Sequence, residues 1–112
     1  MQYLLLISAD ESQIDDNLTP EAMETFSRWL NDLQQRGVLE AHEGLELSRT
    51  ATTVRVRDEK VLLTDGPYIE AKDQIGGFAI VDVDDLDQAI KIAAGHPACT
   101  WGQVEIRPIR TP

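Results

Sequence analysis

Apolar positions along the chain switch between a period of two and a helical period, and the switches mark its elements. Gln2–Ser8 is a predicted strand with Tyr3, Leu5 and Ile7 on one face and Leu4 and Leu6 on the other. Both faces are apolar, so both need cover. Ala9–Asn17 is polar and acidic, a predicted loop. Leu18-Thr19-Pro20 then opens a helix: Thr19 suits the N-cap, Pro20 the first helical position and Glu21 the positive end of the dipole. Leu18 and Met23 have the spacing of a hydrophobic staple. The stripe Met23, Phe26, Leu30, Leu33, joined by Trp29, keeps helical period up to Gly37, which takes the place of a C′ residue.

Val38–Leu47 is ambiguous, with a short extended piece over Val38–Ala41 and a loop at His42-Glu43-Gly44. Ala51–Arg57 alternates well, and Asp58-Glu59 turns it into a hairpin with Lys60–Thr64. Gly77–Val83 is a strand, again apolar on both faces, with Phe78 and Ile80 set against Ala79, Val81 and Val83. A second helix starts at Asp84, with Asp87 at N3 and a core stripe of Leu86, Ala89, Ile90 and Ala93. It closes at Gly95, and Pro97 prevents continuation. Ala98–Gly102 is a loop and Gln103–Ile109 the last strand. The order β-α-β-β-α-β predicts an α+β fold of the ferredoxin-like plan, with both helices on one face of an antiparallel sheet. The other face is then left apolar at Gln2–Ser8 and Gly77–Val83, which predicts a homodimer.

Thr64–Ile80 joins the hairpin to the strand Gly77–Val83. Asp65-Gly66-Pro67 is a turn signal, because Gly reaches φ > 0 and Pro fixes its own φ. Closely spaced charges follow at Glu70, Lys72 and Asp73. The segment Asp65-Gly66-Pro67-Tyr68-Ile69-Glu70-Ala71-Lys72-Asp73 resembles the signature of the DGPF-domain proteins of the YCII-related family, with Tyr68 where Phe is usual and Asp73 where Glu is usual. The resemblance runs from Tyr3-Leu4-Leu5-Leu6 to Val104-Glu105-Ile106-Arg107-Pro108. It implies open sheets paired as a dimeric α+β barrel. It also implies kinship with cofactor-free isomerases and dehydrochlorinases of small ring acids and phenols, which work by proton transfer. DGPF proteins are often encoded beside sigma factors of the extracytoplasmic-function type, so a regulator with a protein partner is the alternative the resemblance implies.

Composition narrows the partners. The chain has 112 residues, one domain over 1–112, with 20 acidic and 10 basic residues for a net charge of −10. That argues against nucleic acid and anionic membrane surfaces, which need a basic face. Tyr3–Ile7 is far too short to span a membrane. The single cysteine, Cys99, excludes an intrachain disulfide and suits a reducing cytoplasm.

Candidate chemistry is sparse. Val104 and Ile106 share a face of the last strand, which leaves Glu105 and Arg107 on the other. They form either an ion pair that positions the dimer or the polar wall of a small-molecule cleft. Asp65, Glu70, Lys72 and Asp73 offer carboxylates and a cation, or simply hold a turn with Glu70 and Lys72 paired; Tyr68 is expected to pack. His96 follows the second helix, where it either caps the helix end or serves as the group titrating near neutral pH. Shorter YCII relatives resemble users of a His–Asp pair, with the Asp before a proline in this last loop. Here His96 stands before Pro97, and the first-helix position shows Thr25-Phe26, so the pair does not carry over. Two His and one Cys without motif spacing do not suggest a metal. The site expected is one concave pocket shared by His96 as general base or acid, by Glu105 and Arg107, and by the signature loop with Asp65, Tyr68, Glu70 and Lys72, binding a small anionic or phenolic molecule without cofactor. His42 is assigned no role, and Trp101 is expected to seal the core or the cleft.

Overall fold

The computed structural model describes residues 1–112. Its strands are β1 (Gln2–Asp10), β2 (Leu39–Gly44), β3 (Thr52–Arg57), β4 (Lys60–Asp65), β5 (Asp73–Asp82) and β6 (Gly102–Pro108). Its helices are a single turn α1 (Ile14–Asn17), α2 (Pro20–Gln35) and α3 (Leu86–Ala94). Four strands form one sheet in the order β2-β5-β1-β6, with every neighbouring pair antiparallel. The remaining two, β3 and β4, form a separate hairpin.

The ends of α2 follow from its sequence. Thr19 accepts a hydrogen bond from the Ala22 N–H at 3.1 Å, and Pro20 takes the first turn. At the other end Gly37 sits at φ +71°, with its N–H on the Gln34 carbonyl at 3.1 Å and the Val38 N–H on that of Leu33 at 3.2 Å. That is a Schellman motif, which satisfies the last carbonyls. The α3 start differs from expectation by one residue. Asp85, not Asp84, is the cap, accepting from the Gln88 N–H at 3.0 Å.

Both long helices lie on one face of the sheet. Tyr3, Leu5, Ala79 and Val81 meet Trp29, Leu33, Ala89, Ile92 and Ala93 there. The α3 stripe is rotated from the one expected: Ala89, Ile92 and Ala93 are buried, whereas Leu86 and Ile90 are about half exposed. Small Ala89 and Ala93 let α3 approach the sheet closely. The Trp29 indole N–H then reaches the Ile92 carbonyl at 2.8 Å and ties the two helices together.

The ambiguous Val38–Ala41 piece became the sheet's edge strand β2, which reaches Gly44 and so includes the His42-Glu43-Gly44 expected as loop. The strand pair with the cleanest alternation stayed outside the sheet. The expected Ala9–Asn17 loop is partly ordered, with β1 running to Asp10, a 3-10 turn over Glu11–Gln13 and then α1. The Ala98–Gly102 loop is mostly a 3-10 turn over Pro97–Thr100.

Candidate functional site: an aromatic cavity beneath α2

A cavity of about 340 Å³ lies between α2 and the sheet. One wall is Ala22, Met23, Phe26 and Trp29 of α2; another is His96, Pro97 and Trp101. The sheet contributes Ile7 of β1, His42 of β2 and Ala79 of β5. The pairing of β1 with β5 steps over Gly76 between Ile7 and Ser8, a bulge at the rim of this space. A Cβ on Gly44 or Gly76, both of which line the cavity, would meet nothing within 4 Å, so these positions leave it open.

His96 is built into this wall rather than suspended in it. Its backbone N–H reaches the Ala93 carbonyl at 3.0 Å, and its Nδ1 accepts from the Ala98 N–H at 3.0 Å, capping the Pro97–Thr100 turn. The ring meets Trp29 and Phe26 edge-on, with centroids 4.9 and 5.5 Å away. Burial among these groups pulls its pKa from 6.5 down to about 4. The imidazole is therefore neutral at pH 7, and because Nδ1 accepts, the proton sits on Nε2. No hydrogen bond within the chain occupies Nε2, and no side-chain nitrogen or oxygen is both sealed off and unpartnered. Nε2–H therefore keeps access to the cavity.

This corrects the expectation of a group titrating near neutral pH. His96 offers a hydrogen-bond donor, and its acceptor nitrogen is already engaged.

The expected convergence with Glu105, Arg107 and the signature loop is not found within the chain. Val104 and Ile106 do pack toward the core, so Glu105 and Arg107 lie on the opposite face, beside Leu6 and Leu4. The sheet itself separates them from His96. There they are exposed and pair with each other at 3.3 Å, a contact worth little in water.

The signature residues also lie outside the cavity lining. Gly66 is at φ +99°, as its turn demands, with its N–H on the Ala51 carbonyl at 2.7 Å. Lys72 approaches Asp10 at 3.9 Å rather than Glu70, so the expected Glu70–Lys72 pairing is replaced. Hydrogen bonds from the Ser12 hydroxyl and then from its backbone N–H hold the Asp10 carboxyl below the usual range. Asp73 is not part of a loop but opens β5. Gln74 donates to the Ile69 and Ala71 carbonyls and fixes the loop's shape. Tyr68, expected to pack, is 76% exposed and borders a second, shallower hollow with Pro67, Ile69 and Leu45.

Three contributors escaped the sequence reading. His42 faces the cavity because β2 extends through it, in register with Ala79. Helical periodicity marks Trp29 and Phe26 only as core stripe, yet the same side chains line the cavity. Trp101 lines it as expected of a cleft-sealing residue. Cys99 is exposed, with its thiol on the Ala93 carbonyl at 3.1 Å. No group of three or more His, Cys, Asp or Glu is gathered closely enough to hold a metal ion, and no helix is long and apolar enough to cross a membrane.

The model of the YCII-related domain matches residues 1–111. The chain belongs to the YCII-related family. An uncharacterized protein of Rhizobium meliloti (strain 1021) is 30% identical over 115 residues, covering 97% of this chain and 92% of that protein. Among solved structures, the YCII-related chain is similar to 5-chloro-2-hydroxyhydroquinone dehydrochlorinase from Burkholderia phenoliruptrix AC1100, determined as a complex with 2,5-dihydroxybenzoquinone. The match covers 100% of this chain and 96% of that one, with a TM-score of 0.59 and 12% identity. At that identity the likeness shows a shared α+β architecture with antiparallel sheets and says nothing of individual residues.

Proposed function

We propose that this YCII-related protein binds a small phenolic or quinone-like molecule in the cavity beneath α2 and acts on it by proton transfer without a cofactor. The observation that carries the reading is the neutral imidazole of His96, set against Phe26 and Trp29 in a largely apolar wall with its Nε2–H open to the space. Flat aromatic walls suit a ring, and one directed donor suits a ring oxygen. His96 then stabilises the negative charge that grows on that oxygen as a proton leaves. His42, the other imidazole at the cavity, is the group we assign to take the proton. The fold neighbour's bound dihydroxybenzoquinone supports the ligand class by analogy of fold alone.

The fold is read as ferredoxin-like with an inserted β3–β4 hairpin. β1 and β2 both run antiparallel to β5, which lies between them, as in a split β-α-β unit. The helix-free face carries Leu4, Leu6, Phe78 and Ile80, which supports pairing of two copies as a dimeric α+β barrel. In such a dimer Glu105 and Arg107 border the space between the sheets. A ligand role for them, or for Asp65, Tyr68, Glu70 and Lys72, then requires the second copy.

Titration with 2,5-dihydroxybenzoquinone, followed by tryptophan fluorescence, tests the site. Binding is expected in the wild type, about tenfold weaker in His96→Phe, as loss of one hydrogen bond implies, and absent in Ala22→Trp, which fills the cavity. Equal binding in Ala22→Trp would place the ligand elsewhere. No binding by the wild type at millimolar ligand would remove the ligand class.

A further inference from the structure

The β3–β4 hairpin is anomalous for a folded chain. Of its strand residues only Thr53 is even half-buried, and neither strand packs substantially on a helix or on the four-stranded sheet. The chain is correspondingly stretched, with a radius of gyration of 15.9 Å and extents of 48 × 41 × 18 Å; a compact chain of this length comes to about 13 Å. An isolated two-stranded hairpin is at best marginally stable in water.

The pairing register shows what the hairpin presents. Val54 stands opposite Leu63 and Val56 opposite Val61. Directly opposed residues share a face, as do residues two apart on a strand, so all four aliphatics lie on one side. They are 57–68% exposed. Arg55, Arg57 and Lys60 lie on the other side. The hairpin is an amphipathic ribbon, with Leu62 the one aliphatic on the basic side, and its apolar side is mostly exposed.

We infer that this ribbon is an arm that packs its Val54–Val56–Val61–Leu63 face on a second copy of the chain, as part of the same interface as the helix-free sheet face. Area and charge both point to a second copy. Burying four such side chains, each already partly covered, removes roughly 200–300 Å² of apolar surface, whereas a stable interface needs about 800 Å² per partner. The arm alone is too small, and the sheet face with Leu4, Leu6, Phe78 and Ile80 is the other orphan surface of the same molecule. A two-fold axis presents both surfaces of each copy to the other.

The charge favours the same contact. Within Thr52–Asp65, Arg55, Arg57 and Lys60 balance Asp58, Glu59 and Asp65, so the segment is neutral and the rest of the chain carries the whole −10. The arm can meet an acidic second copy without adding to the repulsion between them.

The inference rests on the dimer reading given above, and sedimentation equilibrium separates the two. The wild type is compared with Val56→Asp/Leu63→Asp on the arm. A dimeric wild type whose arm variant dissociates at least about a hundredfold more readily, as loss of a hot-spot pair implies, with unchanged far-ultraviolet circular dichroism, supports the arm. A dimeric wild type with an equally dimeric variant overturns the arm and leaves the dimer standing. A monomeric wild type at micromolar concentration overturns both. A second measurement covers a variant that loses its hairpin. Val61→Cys in a Cys99→Ser background, labelled with a photoreactive maleimide, is illuminated in a mixture of isotopically light and heavy chains. Cross-links between light and heavy chains are expected; cross-links confined within chains overturn the inference.

Discussion

The rings of Trp29 and His96 meet edge to face, with centroids 4.9 Å apart and planes at 80°. The contact joins the first long helix to the turn that follows the second. Through the Trp29 indole N–H on the Ile92 carbonyl it also includes the end of α3. Trp29 is therefore both a core residue and part of the cavity wall, so the stability of the fold and the shape of the site depend on the same side chain.

Trp29→Phe tests that dependence. The variant keeps an aromatic ring, removes the indole donor and leaves the Ile92 carbonyl with only the Gly95 N–H at 3.1 Å. A loss of about 1–2 kcal/mol is expected in urea unfolding, the usual effect of removing one buried hydrogen-bond partner. An unchanged midpoint would mean that the Gly95 contact satisfies the carbonyl by itself.

The buried imidazole predicts a pH dependence of stability. His96 titrates near 4 in the folded chain and near 6.5 when unfolded. Between those values the unfolded chain binds a proton that the folded chain refuses. The contribution is whole above the unfolded pKa and is lost as pH falls toward 4, amounting to about 3 kcal/mol from the separation of the two values. His96→Asn retains a side-chain oxygen to accept the Ala98 N–H but does not titrate. The difference between wild type and variant should therefore change by that amount from pH 7 to pH 4. A constant difference would mean that the imidazole is solvated in the folded state.

The elements with local signals were legible from the chain. Thr19-Pro20 and Gly37 mark the limits of α2 because capping is settled within a few residues, and Asp58-Glu59 turns the hairpin at φ 49° and 63° for the same reason. What depended on distant packing was not legible. β2 has weak alternation and is a strand only because β5 offers it an edge. Leu86 and Ile90 have helical spacing, yet the face chosen by α3 was decided by which side chains let it approach the sheet. Alternation correctly put Glu105 and Arg107 on one face of β6. The side of the sheet on which His96 lies is a matter of topology, and no spacing in the sequence encodes it.

Gly66 tests the signature turn. Its φ of +99° is in the region that side chains disfavour, although a Cβ there would meet only a Glu70 carboxylate oxygen at 3.6 Å. The cost of a side chain is thus conformational rather than steric. Gly66→Val should lose more than about 1 kcal/mol. A denaturant midpoint equal to that of the wild type would mean that the loop relaxes freely around the substitution.

Gly102 makes the opposite case, in which space rather than dihedral angle is limiting. It opens β6 opposite Ala9, and a Cβ on it would lie 2.2 Å from the Ser8 carbonyl oxygen and 2.8 Å from the Ala9 Cβ. Both obstacles belong to or adjoin the backbone of β1, so no side-chain rotation relieves them. Gly102→Ala must push the start of β6 away from β1. Overpacking of this kind costs about 1–3 kcal/mol. The displacement would also reach the cavity, because Trp101 precedes Gly102 and lines it together with His96. Gly76→Ala is the control: it too lies at the cavity, but its Cβ would meet nothing within 4 Å. The expected result is a lowered urea midpoint and weakened quinone binding in Gly102→Ala, against a midpoint in Gly76→Ala at or slightly above that of the wild type, since Ala loses less backbone freedom than Gly. If the two variants were equally stable, the close approach of β6 to β1 at Gly102 would not be a feature of the folded protein.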